Sequence, residues 1–448
     1  SVSAGLRWDY GAPITELFGR LVNLDITPSF SAEAPVLASN PVGPLTSQNY
    51  PTSLVRSDKH AIQPKIGISW RPISGSSMVV RAGYGVNFDT SVYTNIALQM
   101  AQQAPLSTSL NVQNSAACPL TLANGFIPCS SITPDSFAID PNFRVGYVQT
   151  WQLIVQRDLP GSLVLTVTYL GNKGTRGPQE FLPNTYAIGA TNPCPTCPSG
   201  FAFLTSNGNS TREAGTVQLR RRLHNGLTAT LQYTFSKSID DDSAMGGQLT
   251  GSLPTAQNWL NLTGERGLST FDQRHLLNTT LQYTTGMGLG GKTLMTGWKG
   301  RLIKEWTFFN QITLGSGLPQ SPVYFAVVPG TGIAGTLRPD VVPGASLYSA
   351  PSGLYLNPAA FTTPVAGQFG DAGRDSITGP IQFSLNGSMS RTFRINDRFN
   401  LDFRLDATNL LNHVTFTSWN TVFDSPLFGT PANANQMRVI RSRLTLRF

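Results

Sequence analysis

The chain has 448 residues, with only 12% charged, 10% aromatic, 43 glycines, 31 prolines and a formal net charge of +8. Mean hydropathy is −0.08, and no apolar run reaches the roughly 18 residues of a membrane-spanning helix, so that class is excluded. A nucleic-acid binder would gather its Lys and Arg in one patch with stacking aromatics, whereas here the arginines recur two apart within extended segments, which excludes that class as well.

Side chains alternate faces along a strand with period two, and that pattern is present from the first residue. Ser1–Tyr10 sets Val2, Ala4, Leu6, Trp8 and Tyr10 against Ser3, Gly5, Arg7 and Asp9. The chain opens on this strand without Met or leader, so the expectation is that a leader has been removed or that this is a piece of something longer. After a polar loop, Ile62–Arg71 places Ile62, Ile66, Ile68 and Trp70 on one side, and Met78–Phe88 follows a short turn through Gly75. A second loop leads to Phe143–Arg157, with Phe143, Val145, Tyr147, Trp151, Leu153 and Val155 in phase, and Pro160–Gly161 turns into Leu163–Tyr169.

Thr216–His224 sets Val217, Leu219 and Leu223 against Gln218, Arg220 and Arg222. Asn225–Gly226 is a strong two-residue hairpin signal, because both positions tolerate positive φ. Leu227–Ser236 then alternates cleanly; Gln273–Thr285 does so less cleanly, since Leu276 and Leu277 are adjacent. Arg301–Leu314 gathers Leu302, Trp306, Phe308, Ile312 and Leu314 on one face. A long loop to Pro380 shows only a short apolar run near Val323–Val328, before Ile381–Phe393 and a turn at Asn396–Asp397. The last fifty residues carry the pattern most clearly. Phe399, Leu401, Phe403, Leu405, Ala407 and Leu411 oppose Asn400, Asp402, Arg404, Asp406 and Thr408; Ile440, Leu444, Leu446 and Phe448 oppose Arg441, Arg443, Thr445 and Arg447.

About twelve segments are thus near the ~9–11 residues with which a tilted strand crosses a bilayer. Tight turns at one end alternate with loops of roughly 25 to 65 residues at the other, as in barrels with short periplasmic turns and long extracellular loops. The expected fold is an all-β, antiparallel transmembrane β-barrel, a single domain over residues 1–448, with apolar stripes toward lipid and polar stripes toward a shared interior. In that arrangement the C-terminus lies in the periplasm. Trp8, Tyr10, Tyr169, Tyr233 and Phe235 fall near outer strand ends, and Trp70, Phe399 and Phe448 near inner ones, as two aromatic girdles would.

Several stretches are similar to the C-terminal half of TonB-dependent outer-membrane receptors of the Oar-like type, which carry a carboxypeptidase-regulatory-like domain. They are AGLRWDYGAP (Ala4–Pro13), PKIGISW with VVRAGYGVNFD (Pro64–Asp89), and the segment Tyr147–Arg176. FDQRHLLN (Phe271–Asn278), LNPAAF (Leu356–Phe361), Phe369–Pro380 and Leu401–His413 continue the likeness in order across nearly the whole chain. The resemblance implies a barrel of about 22 strands around a plug domain, energised through a periplasmic TonB box; this sequence contains neither plug nor box. It implies location in the outer membrane of a Gram-negative-type bacterium, uptake of a bulky solute of unknown identity, and TonB and the plug as partners in the full-length protein. The final Leu444, Leu446 and Phe448 resemble the signal read by the barrel-assembly machinery.

No catalytic pattern is present: there is no GxSxG elbow, phosphate-binding loop or HExxH helix. Asp272, Arg274 and His275 read as the anchored start of a strand, since no nucleophile accompanies them. Asp240–Asp241–Asp242 reads as a solvated acidic loop in preference to a Ca²⁺ site. Cys118, Cys129, Cys194 and Cys197 lie in loop sequence as two local pairs and are candidates for loop disulfides. Cys194–Cys197 lacks the second pair that a zinc site needs, and no metal or cofactor is expected. The functional candidates are the residues expected to line the lumen: Arg7, Lys65, Arg81, Arg220, Arg222, Asp402, Arg404, Asp406, Arg441, Arg443 and Arg447. They form either an anion-favouring solute path and plug-docking wall or cross-strand ion pairs that hold the wall together. The alternatives to an energised receptor are a passive porin-like channel and a non-membrane β-sandwich adhesin.

Overall fold

Periodicity fixes which face a side chain takes, and strand pairing carries that choice from one strand to the next. A computed structural model describes residues 1–28, 30–107, 136–183, 185–193, 201–241, 255–286, 297–327, 334–395 and 398–448, with short pieces at 110–111, 121, 133–134, 195 and 329. Twelve strands form one antiparallel sheet in chain order: β1 (Val2–Trp8), β2 (Ile62–Trp70), β3 (Val79–Phe88), β4 (Tyr147–Leu159), β5 (Leu163–Phe181) and β6 (Phe201–His224). They continue with β7 (Leu227–Asp240), β8 (His275–Thr284), β9 (Thr307–Gly315), β10 (Gln382–Arg394), β11 (Asn400–Thr408) and β12 (Val439–Arg447). Among the described residues β1 pairs only with β2, and β12 only with β11, so the sheet is open at both margins. Among the described residues no helix is long and apolar enough to cross a membrane.

The register makes one face apolar from edge to edge. Val2 faces Ile68, Ile68 faces Ala82, Ala82 faces Leu153, and Leu153 faces Tyr169. At the other margin Met389 faces Leu405, Phe403 faces Leu444 and Leu401 faces Leu446. Leu6, Ile66, Leu153, Val217, Leu231, Ile312 and Leu444 on this face are all exposed. A β-sandwich would cover such a face with a second sheet, whereas this is a one-layer wall. Its hairpins close as the sequence demands: Asn225 and Gly226 take φ of 53° and 79°, and Gly161 and Ser162 take 76° and 62°.

The hydrophobic cores lie in the long loops, and the first also takes in Leu204 from the far half of β6. One, with Leu54, Ile96, Met100, Ile139 and Phe143, gathers the first loops around helix α1 (Tyr93–Ala101). Another, with Leu356, Phe361, Ile377 and Phe428, joins the loops that follow β9 and β11. The long loops therefore form a packed platform at one end of the wall.

Five expectations are corrected. β5 and β6 run to Phe181 and back from Phe201, 19 and 24 residues, where the sequence reads as loop beyond Tyr169 and before Thr216. At about 3.3 Å per residue these strands overrun a ~30 Å hydrocarbon layer, so their far halves carry Gly, Asn and Thr without apolar alternation. Phe143 and Val145, read as strand, precede β4 and are buried in the loop core. Arg301–Ile303 belongs to helix α2 (Gly297–Ile303), so Leu302 is not a strand residue. Leu411 lies past the end of β11, where Asn409 and Asn412 take φ of 48° and 51°. Asp240 is fully buried, contrary to a solvated acidic loop. Asp242, the turn at Asn396–Asp397, and Cys118, Cys129, Cys194 and Cys197 lie outside the described residues.

Candidate functional site: the polar face and its loop platform

Every second residue of each strand points to the face opposite the apolar one, and the expected candidates share it. Arg7 stands opposite Gln63, Lys65 opposite Gly5 and Gly85, Arg81 opposite Ser69, and Arg220 opposite Thr230. Asp402 faces Thr445, Arg404 faces Arg443 and Asp406 faces Arg441. Several of these charges are paired. Arg447 grips Asp402 across the strand gap at 2.5 and 2.7 Å, a two-pronged contact. Arg404 binds Asp406 two residues along its own strand at 2.9 Å, which offsets the like-charge approach of Arg404 and Arg443. Arg7 holds Asp9 at 2.7 Å, and Arg222 holds Asp158 at 2.8 Å across to β4. Among the described residues, Lys65, Arg81, Arg220, Arg441 and Arg443 make no ion pair, leaving a cationic surplus on this face.

Near the first margin the polar face is floored by glycine. Gly5, Gly67, Gly83 and Gly85 lie side by side across β1, β2 and β3, and a cleft of about 700 Å³ opens over them. Lys65, Arg81 and Gln152 stand at its sides. The absence of side chains at the glycines exposes backbone and leaves room for a chain or solute to approach closely. The sequence gives alternating glycines here, but only pairing shows that they meet.

The platform above is fastened by polar groups that no local motif announces. Asp25 is buried and accepts from the Leu45 and Thr46 amides (2.8 and 2.9 Å), the Thr46 hydroxyl (2.6 Å) and the Tyr50 hydroxyl (2.9 Å). Burial alone would raise its pKa; these four donors outweigh burial and hold the carboxyl below its ordinary value. Asp58 is similar: burial opposes its charge, while His60, through its amide and ring, and Arg144 depress its pKa. At the end of β7, Arg374 binds Asp240 and also Asp375 at 3.0 Å, and donates to the carbonyl of Glu265 at 2.8 Å. Burial raises the Asp375 carboxyl, with Arg374 pulling the other way. Glu265 in turn receives both prongs of Arg338 at 2.8 and 2.9 Å. Asp272 accepts from the Ser238 amide at 2.6 Å, consistent with an anchored strand start, and His275 meets the Tyr233 hydroxyl at 2.7 Å.

An aromatic cleft of about 730 Å³ lies where the platform meets β10, walled by Tyr355, Phe383, His413, Phe416 and Trp419. Tyr355 and Trp419 stack with centroids 4.3 Å apart. Among the described residues no group of His, Cys, Asp or Glu is arranged to hold a metal ion.

A family model described as an outer membrane beta-barrel domain matches residues 1–441. Comparison with curated proteins found no match. Among solved structures, the outer membrane transporter YddB from Escherichia coli is 10% identical over 87% of this chain and 41% of its own, with a TM-score of 0.48. The siderophore receptor PiuA from Acinetobacter baumannii is 10% identical over 100% and 40%, TM-score 0.41. The FrpB iron transporter from Neisseria meningitidis is 9% identical over 88% and 38%, TM-score 0.42. The chain therefore spans about two-fifths of the length of these proteins.

Proposed function

The chain belongs to the outer membrane β-barrel domain family, and from that premise we propose that it is the wall and loop platform of a TonB-dependent receptor of the Oar-like type, importing a bulky solute without catalysis. One observation carries the reading: the twelve strands turn an apolar face one way, exposed on most of them and part-buried on β10 and β11, and a polar face with a cationic surplus the other, with packed loops at one end only. In a bilayer the apolar face meets lipid and the polar face lines the lumen. Arg7, Lys65, Arg81, Arg220, Arg222, Asp402, Arg404, Asp406, Arg441, Arg443 and Arg447 then divide into two groups. The paired ones brace the wall, and the unpaired ones favour anionic groups on a solute or on a docked plug. The short turns and the C-terminus lie in the periplasm, where Leu444, Leu446 and Phe448 are presented to the barrel-assembly machinery, and the long loops meet solute outside. A plug domain and TonB complete the full-length receptor.

The test is uptake of a panel of bulky solutes by cells producing the full-length protein, with and without inner-membrane energy coupling. Uptake abolished by uncoupling supports the proposal. Uptake or conductance that persists without coupling overturns it in favour of a passive channel.

A further inference from the structure

The connection from β8 to β9 departs from the tight turns at its end of the sheet, and it contains α2. Its sequence from Gly297, GWKGRLIKEW, mixes Trp, Leu and Ile with Lys299, Arg301 and Lys304. What α2 leans on is informative. Arg391 on β10 stands opposite Phe403, in the register of the apolar face, yet it is only 8% exposed. Its guanidinium lies 4.6 Å over the Phe393 ring and 5.5 Å from the Trp306 ring, and donates to the Leu302 carbonyl at 2.6 Å. The Trp306 indole donates to the same carbonyl at 2.9 Å, and its ring meets Phe393 and Phe403 edge-on at 6.0 and 5.9 Å. The carbonyl end of α2 is therefore fixed to the outside of the wall by an arginine that would otherwise face hydrocarbon.

A helix serving only to close the connection would turn its apolar side chains onto Trp306 and Phe393. Instead Trp298 and Leu302 are 71% and 63% exposed, and Ile303 is exposed beside them. Exposed Trp, Leu and Ile with basic neighbours, continuous with a lipid-facing surface, is the chemistry of a segment lying in a membrane interface. We propose that Gly297–Trp306 is a lipid-binding foot, which sets Leu302, Ile303 and Trp298 into the headgroup–acyl boundary of the phospholipid leaflet at the short-turn end. Arg391 positions the foot through the Leu302 carbonyl and the Phe393 and Trp306 rings. This rests on the reading that the apolar face meets lipid.

The experiment reads depth in phospholipid vesicles. A nitroxide is placed at Leu302→Cys in the full chain with its four native cysteines changed to Ser. The same label at Leu231→Cys reports the middle of the wall, and at Ser74→Cys a water-exposed turn. Collision of the Leu302 label with oxygen severalfold above that with a water-soluble nickel chelate is expected. If Leu302 matches Ser74 while Leu231 is lipid-like, the foot is refuted and the wall stands; if Leu231 is itself water-like, the wall reading fails. A second measurement keeps the cysteines. The component of tryptophan emission lost in Trp298→Phe is expected to be quenched by lipids brominated near the headgroup, as is that of the girdle residues Trp8 and Trp70, and absence of quenching in that component overturns the proposal.

Discussion

A single carboxylate shows how the loops are held. Asp25 satisfies three backbone or side-chain donors from 20 or 21 residues away and one from 25 away, and all four favour its charge. Its folded-state pKa lies below the unfolded value of about 3.9, so its contribution is complete above that pH and is lost as pH falls through the folded value. Proteolysis between Leu21 and Tyr50 is therefore expected to rise sharply below about pH 4. In Asp25→Asn the same segment should be cut readily at neutral pH, with little further pH dependence. Arg374 makes a parallel case. Arg374→Met strands the Asp240 and Asp375 carboxylates in the interior, a change that typically costs about 3–5 kcal/mol. Hydrogen exchange should accelerate in residues 255–272 and 338–378 while the strands stay protected. Neither cluster was legible in the sequence: Arg374 and Asp240 are 134 residues apart, and a lone Asp in a Pro- and Ser-rich loop carries no periodic signal.

Strands were legible wherever lipid or a partner imposes period two. All twelve were expected, and most boundaries agree within a few residues. The reading failed where that pressure ends. Beyond the apolar layer β5 and β6 keep their hydrogen bonds but lose alternation, so their far halves looked like loop. Phe143 and Val145 kept the phase of β4 by coincidence, having been recruited into a loop core. Near Arg301 two or three apolar residues fit either period, and only the folded chain, where Arg391 and Thr285 donate to the Leu302 and Ile303 carbonyls, reveals a helix end there. Two substitutions probe the faces. Leu444→Arg places a charge on the lipid side at a cost of about 2–4 kcal/mol near mid-bilayer, whereas Thr445→Arg puts it beside Asp402 on the polar side. Heat-resistant, membrane-inserted protein should fall strongly for the first and little for the second. Gly171 lies under the Trp151 indole, where a Cβ would collide with the ring; Gly171→Ala should lower stability by about 1–3 kcal/mol in urea unfolding.

At the scale of the whole molecule, the asymmetry between packed loops and bare turns predicts orientation. Ser352 lies in the loop platform and Ser74 in a turn between β2 and β3, both exposed. With cysteine at either position, a membrane-impermeant thiol reagent should label position 352 on intact cells and position 74 only after the outer membrane is permeabilised; the reverse would invert the topology. The two margins of the sheet carry a further consequence. Among the described residues β1 and β12 each present a row of amide and carbonyl groups without a neighbouring strand, and in hydrocarbon each such group costs several kcal/mol. Whichever strands meet them, the join has to be made before or during entry into the bilayer, because a half-zipped wall is a poor solute for lipid and an adhesive one for water. Insertion of this chain should thus behave as a threshold event, in which a defect at either seam leaves the entire polypeptide stranded in the aqueous compartment.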